Sequence, residues 1–543
     1  MASESVPAGV APAVEEEYHP RALEPGVLIM TVLLSVIGAI VGLQILTTLG
    51  VTPNTAIVGV LVAIAISRIP LPGFGRFRSI HRQNLVQSNI SSATFGAANS
   101  LLLPIGIPVL MGMPELLTPM LIGATMGMLI DLAMLYWLFD SRIFAGRNAW
   151  PPGVAAAEAI NAGDKGGRRA LLLVGGTVLG MLGAWQGVSM SAFGVAFIGN
   201  IFALTMFGVG LLIRGYAGPL AGLDINAMYI PHGMMIGAGL VALIQVGMII
   251  LRRQAKAKAA AAGAEAASEV TRSEADLGKG VAKGLGLYLL AAIVLAAISG
   301  LTGQMSAVQL VVWVVFAAIA CVAAEFIVGL SAMHAGWFPA FATALIFLVL
   351  GMIMGFPPIA LGLLVGFVAS GGPAFADAGY DLKAGWHLRK GGSRSFEMQG
   401  RFQQIIAGLV GLGVAWVMVV LFHNLYFANN LFPPVDRVYA STIAAGVDAS
   451  VLTSLLIWAI PGAIIQFIGG PDRQMGILLA TGLLILNPLA GWAVLVGIAI
   501  RMAMLRIYGQ KAETPMTIVA AGCIAGDALY GFGSAAARAK WTI

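Results

Sequence analysis

The sequence predicts an all-α, polytopic membrane protein, and three observations support that fold class. Of the 543 residues, 59% are hydrophobic and only 10% are charged, and the mean hydropathy is +0.91. A soluble domain usually carries about 25% charged residues, so this chain cannot cover a surface in water. Apolar runs of roughly 20 residues, the length that crosses a bilayer, recur along it. The net charge of +6 is spread between those runs, which is typical of membrane topology and not of a nucleic-acid-binding surface.

The apolar runs predict about sixteen membrane helices, with half-spans among them left open. In the first half of the chain they cover residues 26–49, 54–69, 88–112, 115–139, 169–190, 192–213 and 232–251. In the second half they cover residues 284–300, 306–330, 337–355, 357–375, 402–424, 441–468, 474–487, 488–505 and 514–532. The two cysteines, Cys321 and Cys523, lie within such runs and form no CxxC motif. We therefore expect neither a metal site nor a cofactor.

The pattern divides the chain into four segments. Residues 1–25 are polar and carry three glutamates where a secretory signal would be basic, so they predict a disordered cytoplasmic tail. Residues 26–251 and 284–543 form an N-terminal and a C-terminal transmembrane half. Residues 252–283 are charged, rich in alanine and free of tryptophan and phenylalanine, and they predict an exposed cytoplasmic linker.

The basic residues predict the orientation in the membrane. They cluster at 68–82, 142–169, 252–258 and 383–401, and an even number of spans between clusters places all four on the cytoplasmic side. Two spans precede the first cluster, so we expect both termini in the cytoplasm and the protein in the cytoplasmic (inner) membrane. Three predicted spans separate the second and third clusters, and a hairpin within 215–231 would restore the even count.

A short internal repeat suggests two pseudo-symmetric halves. Residues 150–158 and 371–377 each contain a Pro/Gly break, small residues and one acid. Each is followed by a basic Gly-Gly loop, at 166–169 and 391–394, and by a span that ends in Ala-Trp. Duplicated halves with broken helices are a common transporter design. Because proline starts a helix well but does not continue one, each break predicts either a helix start that faces an anionic group or an elbow at the membrane surface.

Asp377 and Asp381 form a candidate site because they lie four residues apart on one helix face. Two close carboxylates in a dry site can share a proton or bind a cationic group. Lys383 lies two residues further on and faces away from Asp381, so it is not their ion-pair partner but belongs to the same candidate segment. Solvated charges in a cytoplasmic loop are the alternative interpretation.

Three lone acids are further candidates for substrate binding or proton coupling. Glu158 follows the Pro-Pro-Gly break in an alanine-rich stretch, and Asp131 and Glu325 lie well inside apolar spans. Intramembrane acids are costly and point to function. The alternatives are a Glu158 in water at the membrane surface, and buried carboxyl groups of Asp131 and Glu325 that are bonded to hydroxyl or backbone groups.

Three motifs resemble the oligopeptide transporter family, including its Yellow Stripe-like branch and bacterial members. Residues 82–93 (Arg-Gln-Asn-Leu-Val-Gln-Ser-Asn-Ile-Ser-Ser-Ala) resemble the family's motif before its third span, without the acid that usually follows Arg-Gln. Residues 150–158 resemble its Pro-x-Gly-Thr-Ala-x-Ala-Glu stretch, with Val154 in place of threonine. Residues 377–385 resemble its Asp-x-x-x-Asp-Leu-Lys-x-Gly motif. The resemblance implies sixteen helices in two pseudo-symmetric halves and proton-coupled import of small peptides or metal chelates.

The sequence thus favours a secondary transporter that is not an enzyme. It contains no Gly-x-x-x-x-Gly-Lys-Ser/Thr motif, so it does not itself use ATP. A membrane-embedded, prenyltransferase-like enzyme with an aspartate-pair site is the alternative, although it needs a second acidic cluster to hold two metals. A channel suits two halves with buried acids less well. The expected partners are a small-molecule substrate, protons and the lipid bilayer, without nucleic acid, and a homodimer is left open.

Overall fold

The computed structural model describes residues 18–50, 79–148, 150–163, 168–261, 270–335, 340–446 and 449–538. These residues form α-helices joined by short turns, and no β-strand occurs among them. Ten of the described helical segments are long and apolar enough to cross a membrane. The all-α, polytopic membrane fold is therefore confirmed, whereas the predicted span 54–69 lies outside the described residues.

The helices follow the predicted segments closely. Before the central polar stretch they are α1 Pro25–Leu49, α2 Ile80–Phe95, α3 Leu103–Leu110, α4 Leu117–Leu138, α5 Pro151–Gly163, α6 Arg168–Trp185, α7 Met190–Ile198, α8 Ile201–Ala221 and α9 Ile230–Ala261. After it they are α10 Glu274–Ile298, α11 Ala307–Ala335, α12 Ala340–Ile353, α13 Pro358–Leu388, α14 Arg394–Ala428, α15 Pro434–Ala445, α16 Ala449–Arg473, α17 Met475–Leu484, α18 Pro488–Tyr508 and α19 Glu513–Arg538.

Two predicted spans are each divided into two helices. The segment 192–213 becomes α7 and α8, because the Asn200 side chain accepts hydrogen bonds from the backbone of Phe202 and Ala203 and starts a new helix. The segment 441–468 likewise divides into α15 and α16. The hairpin that we considered within 215–231 does not occur, because one turn joins α8 to α9 there.

Parts of the polar segments at the N-terminus and in the middle of the chain belong to the described residues. Residues 18–24 of the predicted tail lie against α14, where the backbone of Ala22 donates to the Gln403 side chain across 2.9 Å and His19 is buried. In the predicted linker, α9 continues to Ala261 and α10 begins at Glu274, after a Ser273 capping box. Hydrogen bonds to neighbouring residues stabilise the segment 18–24, and the capping box stabilises the start of α10.

The two largest clusters of the hydrophobic core each combine helices from both sides of the central polar stretch. The larger cluster includes α4, α11 and α13, and the smaller one includes α8, α17 and α18. Helix α13 lies at the centre: 94% of its apolar stretch is buried, compared with 89% of the Ile80–Leu110 span. The division of the chain into two pseudo-symmetric halves stays a prediction.

Candidate functional site

The candidate site lies where α13 packs against α2. Helix α13 begins at Pro358, which suits the first helical position, and it runs without a break through Gly371, Gly372 and Pro373. The break that we predicted there is therefore wrong. A proline removes one backbone hydrogen bond, but a buried helix is held by its neighbours. Because α13 is continuous, the two aspartates that follow Pro373 lie on one face of the same helix.

Asp377 and Asp381 share one helix face, as their four-residue spacing predicted, and both contact α2. The Ser91 hydroxyl donates to Oδ1 of Asp377 across 2.6 Å, and Nε2 of Gln87 donates to Oδ1 of Asp381 across 2.5 Å. The two aspartates are only 2% and 3% exposed. The alternative of solvated charges in a loop is therefore excluded. Both hydrogen-bond donors are neutral groups, so among the described contacts no cation balances the negative charge of the two carboxylates.

Lys383 faces the opposite direction, also as predicted. Its Nζ donates to the backbone oxygens of Gly146 across 2.7 Å and of Asn148 across 2.9 Å, and it lies 4.5 Å from the ring centroid of Trp386. These contacts attach the loop before α5 to α13. In the structure Lys383 positions that loop and does not pair with the aspartates.

Gln404 of α14 connects the aspartates with a buried cluster of charges. Its Nε2 donates to the backbone oxygen of Asp381 across 2.6 Å and to the Ser88 hydroxyl across 3.1 Å. Its Oε1 accepts from Arg389 across 2.9 Å. Every polar atom of this amide thus has a partner, so the Gln404 side chain is held in one orientation.

The charge cluster consists of Arg389, Glu397, Arg401 and Asp140. Nε of Arg389 lies 2.7 Å from Glu397, and NH2 of Arg401 lies 3.1 Å from Glu397 and 3.5 Å from Asp140. Both guanidinium groups are completely buried. Burial lowers the pKa of Arg389 below its usual value, and Glu397 partly offsets this. The cluster therefore joins the loop after α4 to the turn between α13 and α14 by charge-assisted hydrogen bonds.

Asp131 and Glu325, which we predicted separately, come together at Tyr288. The Tyr288 hydroxyl on α10 is within hydrogen-bonding distance of Asp131 on α4 and of Oε1 of Glu325 on α11, the latter at 2.6 Å. All three residues are fully buried. Each acid therefore has a hydroxyl partner, which was one of the alternatives for these residues. The spacing of the spans did not indicate that both acids contact the same hydroxyl.

Glu158 lies on α5, but its side chain is outside the described residues. Helix α5 begins at Pro151, as predicted for a helix start. Trp150 before it has a positive φ of 39° and donates its backbone N–H to Met333. Ala156, Ala157 and Ile160 of α5 pack against Ala384 of α13. The helix that carries Glu158 therefore contacts the helix that carries the aspartate pair.

A small cavity and a π-helical segment adjoin the aspartate pair. Asp377 lines the cavity together with Ser92, Phe95, Gly96, Leu132, Ala374 and Leu412. Gly96 also begins the π-helix Gly96–Leu102, which joins α2 to α3 and is completely buried. Such π-helical segments are rare and frequently occur at functional sites. The pair thus lies beside both an internal space and an irregular stretch of helix.

Several site residues were not predicted from the sequence. Gln87 and Ser91 lie within the motif 82–93, so their polarity inside a buried helix was the available signal. The others are Tyr288, Gln404, Arg389, Arg401 and Glu397. Asp436 in the first turn of α15 is fully buried, and within the described part of the chain neither of its carboxyl oxygens has a hydrogen-bond partner.

Nearly the whole chain matches the model of one known protein family. The family described as OPT oligopeptide transporter protein matches residues 25–251 and 219–538. Together these two ranges cover every helix given above and include all six predicted site residues. No curated protein matches the chain.

Proposed function

The chain belongs to the OPT family of oligopeptide transporters, and from this premise we propose that it is a proton-coupled secondary transporter. It is a multi-pass membrane transport protein and not an enzyme, because the family transports its substrates. We propose small peptides or peptide-like metal chelates as the cargo, imported across the cytoplasmic membrane. The prenyltransferase-like alternative, which depended on the aspartate pair alone, is not favoured by the family.

The observation that carries the proposal is the buried pair Asp377–Asp381. Its partners from α2 are neutral, the hydroxyl of Ser91 and the amide of Gln87. A buried acid without a cationic partner is stable when it holds a proton or binds a cation. The amino group of a peptide and the positive end of a metal chelate are such cations. One carboxyl group can hold a proton while the other binds the cation, so proton and cargo can occupy the pair together, which is a simple physical basis for coupled import.

The surroundings of the pair support an alternating-access cycle. The cavity beside Asp377 is small, so a peptide or chelate fits there only if the surrounding helices separate. Helices α2 and α14 contact the pair through amide side chains, and α5 contacts α13 through small residues. We propose that Lys383, through its bonds to the loop before α5, sets the position of α5 against α13 during this motion. Glu158 stays a candidate for substrate binding or proton coupling. Cytoplasmic termini and a homodimer stay expectations.

Two neutralising substitutions test the role of the pair. Asp377→Asn and Asp381→Asn keep the side-chain shape but remove the acid, and each should lower proton-driven uptake by roughly tenfold or more. The measurement uses purified protein in liposomes with an inward proton gradient. Asp224→Asn is the matched control, because Asp224 is 68% exposed and pairs loosely with Arg214. Full uptake by both variants would exclude the assigned role.

The cargo is identified by thermal shift. Purified protein is screened against di- to hexapeptides and against ferric and other metal chelates, and the cargo should raise the unfolding temperature in proportion to its binding. The same compound should fail to stabilise Asp377→Asn. Stabilisation of wild type and variant to the same extent would place the binding site elsewhere.

A further inference from the structure

The hydroxyl of Tyr288 joins two acids that belong to different helices. It lies within hydrogen-bonding distance of Asp131 and, at 2.6 Å, of Oε1 of Glu325. All three side chains are inaccessible to solvent. Two carboxyl groups therefore contact one buried phenol oxygen.

Counting protons shows that one carboxyl group must be protonated. A phenol has a single O–H proton, and an ionised carboxylate donates none. Tyr288 can donate to one acid, and its oxygen can accept a hydrogen bond from the other acid only if that carboxyl group holds a proton. Since Oδ2 of Asp131 and Oε2 of Glu325 have no partner among the described residues, nothing else compensates two negative charges. The arrangement therefore contains one proton shared by two acids.

The titratable surroundings contain no cation. Among the described groups, Cys321 on α11 is the further titratable side chain that interacts electrostatically with the site, and no lysine, arginine or histidine does so. From α13, the backbone of Gly371 and Phe375 faces Asp131, and neither residue titrates. A salt bridge therefore does not explain why these acids are retained at the centre of a bilayer protein.

The acids also contact the helix that carries the aspartate pair. A Cβ atom at Gly371 would lie 2.7 Å from Oδ1 of Asp131, so α13 and α4 touch at this point. Leu132, the neighbour of Asp131, lines the same cavity as Asp377. A change in the position of α4 against α13 would thus alter both the contacts of Asp131 and the cavity beside Asp377.

We propose that Asp131, Tyr288 and Glu325 form a second proton-binding site, separate from the Asp377–Asp381 pair, that holds one shared proton and exchanges it during transport. The proposal rests on the proposed function, because exchange requires a transport cycle. Proton binding itself does not require it, so the two can be tested apart.

The first test measures proton binding without any cargo. Folded wild-type protein must keep a proton that the unfolded chain releases above about pH 5, so its stability falls as the pH rises. Glu325→Gln replaces the shared proton with a permanent amide donor and removes this dependence. The unfolding temperature of the variant minus that of wild type should therefore increase steadily between about pH 5 and pH 8.

Two further variants make the result decisive. Asp131→Asn neutralises the other acid and should show the same trend. Glu115→Gln changes an exposed glutamate, and its difference from wild type should be independent of pH. A pH-independent difference for both Glu325→Gln and Asp131→Asn would overturn the proposal.

The second test separates proton exchange from cargo movement. In liposomes, wild type should accumulate labelled trialanine under a proton gradient and exchange it with internal trialanine. Glu325→Gln should keep the exchange and lose the accumulation, whereas full accumulation by both site variants would overturn the proposal. If wild type moves neither trialanine nor a chelate, the proposed function fails, and the titration still decides the proton site.

Discussion

The guanidinium of Arg389 and the carboxylate of Glu397 lie 2.7 Å apart at the turn between α13 and α14. The same guanidinium donates to Gln404 across 2.9 Å, and Gln404 donates to the backbone of Asp381. Three consecutive hydrogen bonds thus connect a charged turn at one end of α13 with an aspartate of the candidate site. The connection makes the turn a place where substitutions should affect the site.

Glu397→Gln should strongly destabilise the protein. Arg389 and Arg401 are both completely buried and both pair with Glu397. Removing one partner of a buried ion pair leaves an uncompensated charge and costs about 3–5 kcal/mol. The unfolding temperature in detergent measures the effect. Glu274→Gln is the control, because the side chains of this ion pair are exposed: 67% for Arg142 and 73% for Glu274. Equal shifts for the two variants would contradict the prediction.

Acidification should destabilise the N-terminal segment through His19. Burial, followed by the charge of Arg389, lowers the pKa of His19 from 6.5 to about 4. The folded protein therefore keeps a neutral ring, and the stability present above pH 6.5 is lost as the pH falls towards 4. At about pH 5 the loss should be about 1–2 kcal/mol.

The non-titrating variant His19→Phe isolates this effect. The ring of His19 packs against His81 and Phe396 with centroids 5.2 and 5.4 Å away, and phenylalanine preserves such contacts. The unfolding temperatures of wild type and variant are compared at neutral and acidic pH. Wild type should lose more stability than the variant on acidification, and an identical loss would exclude His19 as the source.

Gly371→Ala should destabilise the protein, whereas the same substitution at Gly413, another helical glycine, should not. A Cβ atom at Gly371 would lie 2.7 Å from Oδ1 of Asp131, whereas one at Gly413 of α14 has nothing within 4 Å. Overpacking a buried contact costs about 1–3 kcal/mol, and alanine at an open helical position gains up to about 1 kcal/mol. Thermal unfolding of the two variants should therefore change in opposite directions. A stabilised Gly371→Ala protein would show that α4 and α13 are not in close contact.

Asp436→Leu should stabilise the protein. Both carboxyl oxygens of Asp436 are buried without a hydrogen-bond partner among the described residues, which costs about 1–3 kcal/mol. Leucine has nearly the same branched shape and no polar atoms, so the unfolding temperature should rise. A fall would show that the carboxyl group has a partner in the folded protein, and Asp436→Asn would then distinguish lost polarity from lost shape.

The arrangement of the candidate site was predictable only for residues that lie on the same helix. Asp377 and Asp381 share a face and Lys383 lies on another, because four and two residues correspond to different angles around one helix. Tyr288 and Gln404 were not predictable, since Tyr288 lies 157 residues from Asp131 and Gln404 lies 316 residues from Ser88. The continuous helix through Pro373 was also missed, because burial between neighbours compensates a local helix breaker.

The sequence by itself determined the membrane fold, the order and approximate limits of the helices, and the acids that deserve a test. These properties depend on hydropathy and local spacing, which act between residues that are close along the chain. Only the tertiary structure decided which acids meet. It paired Asp131 with Glu325, joined Asp381 to the charge cluster and left Asp436 without a described partner. Such contacts depend on how separate helices pack, and small residues such as Gly371 decide how closely they approach.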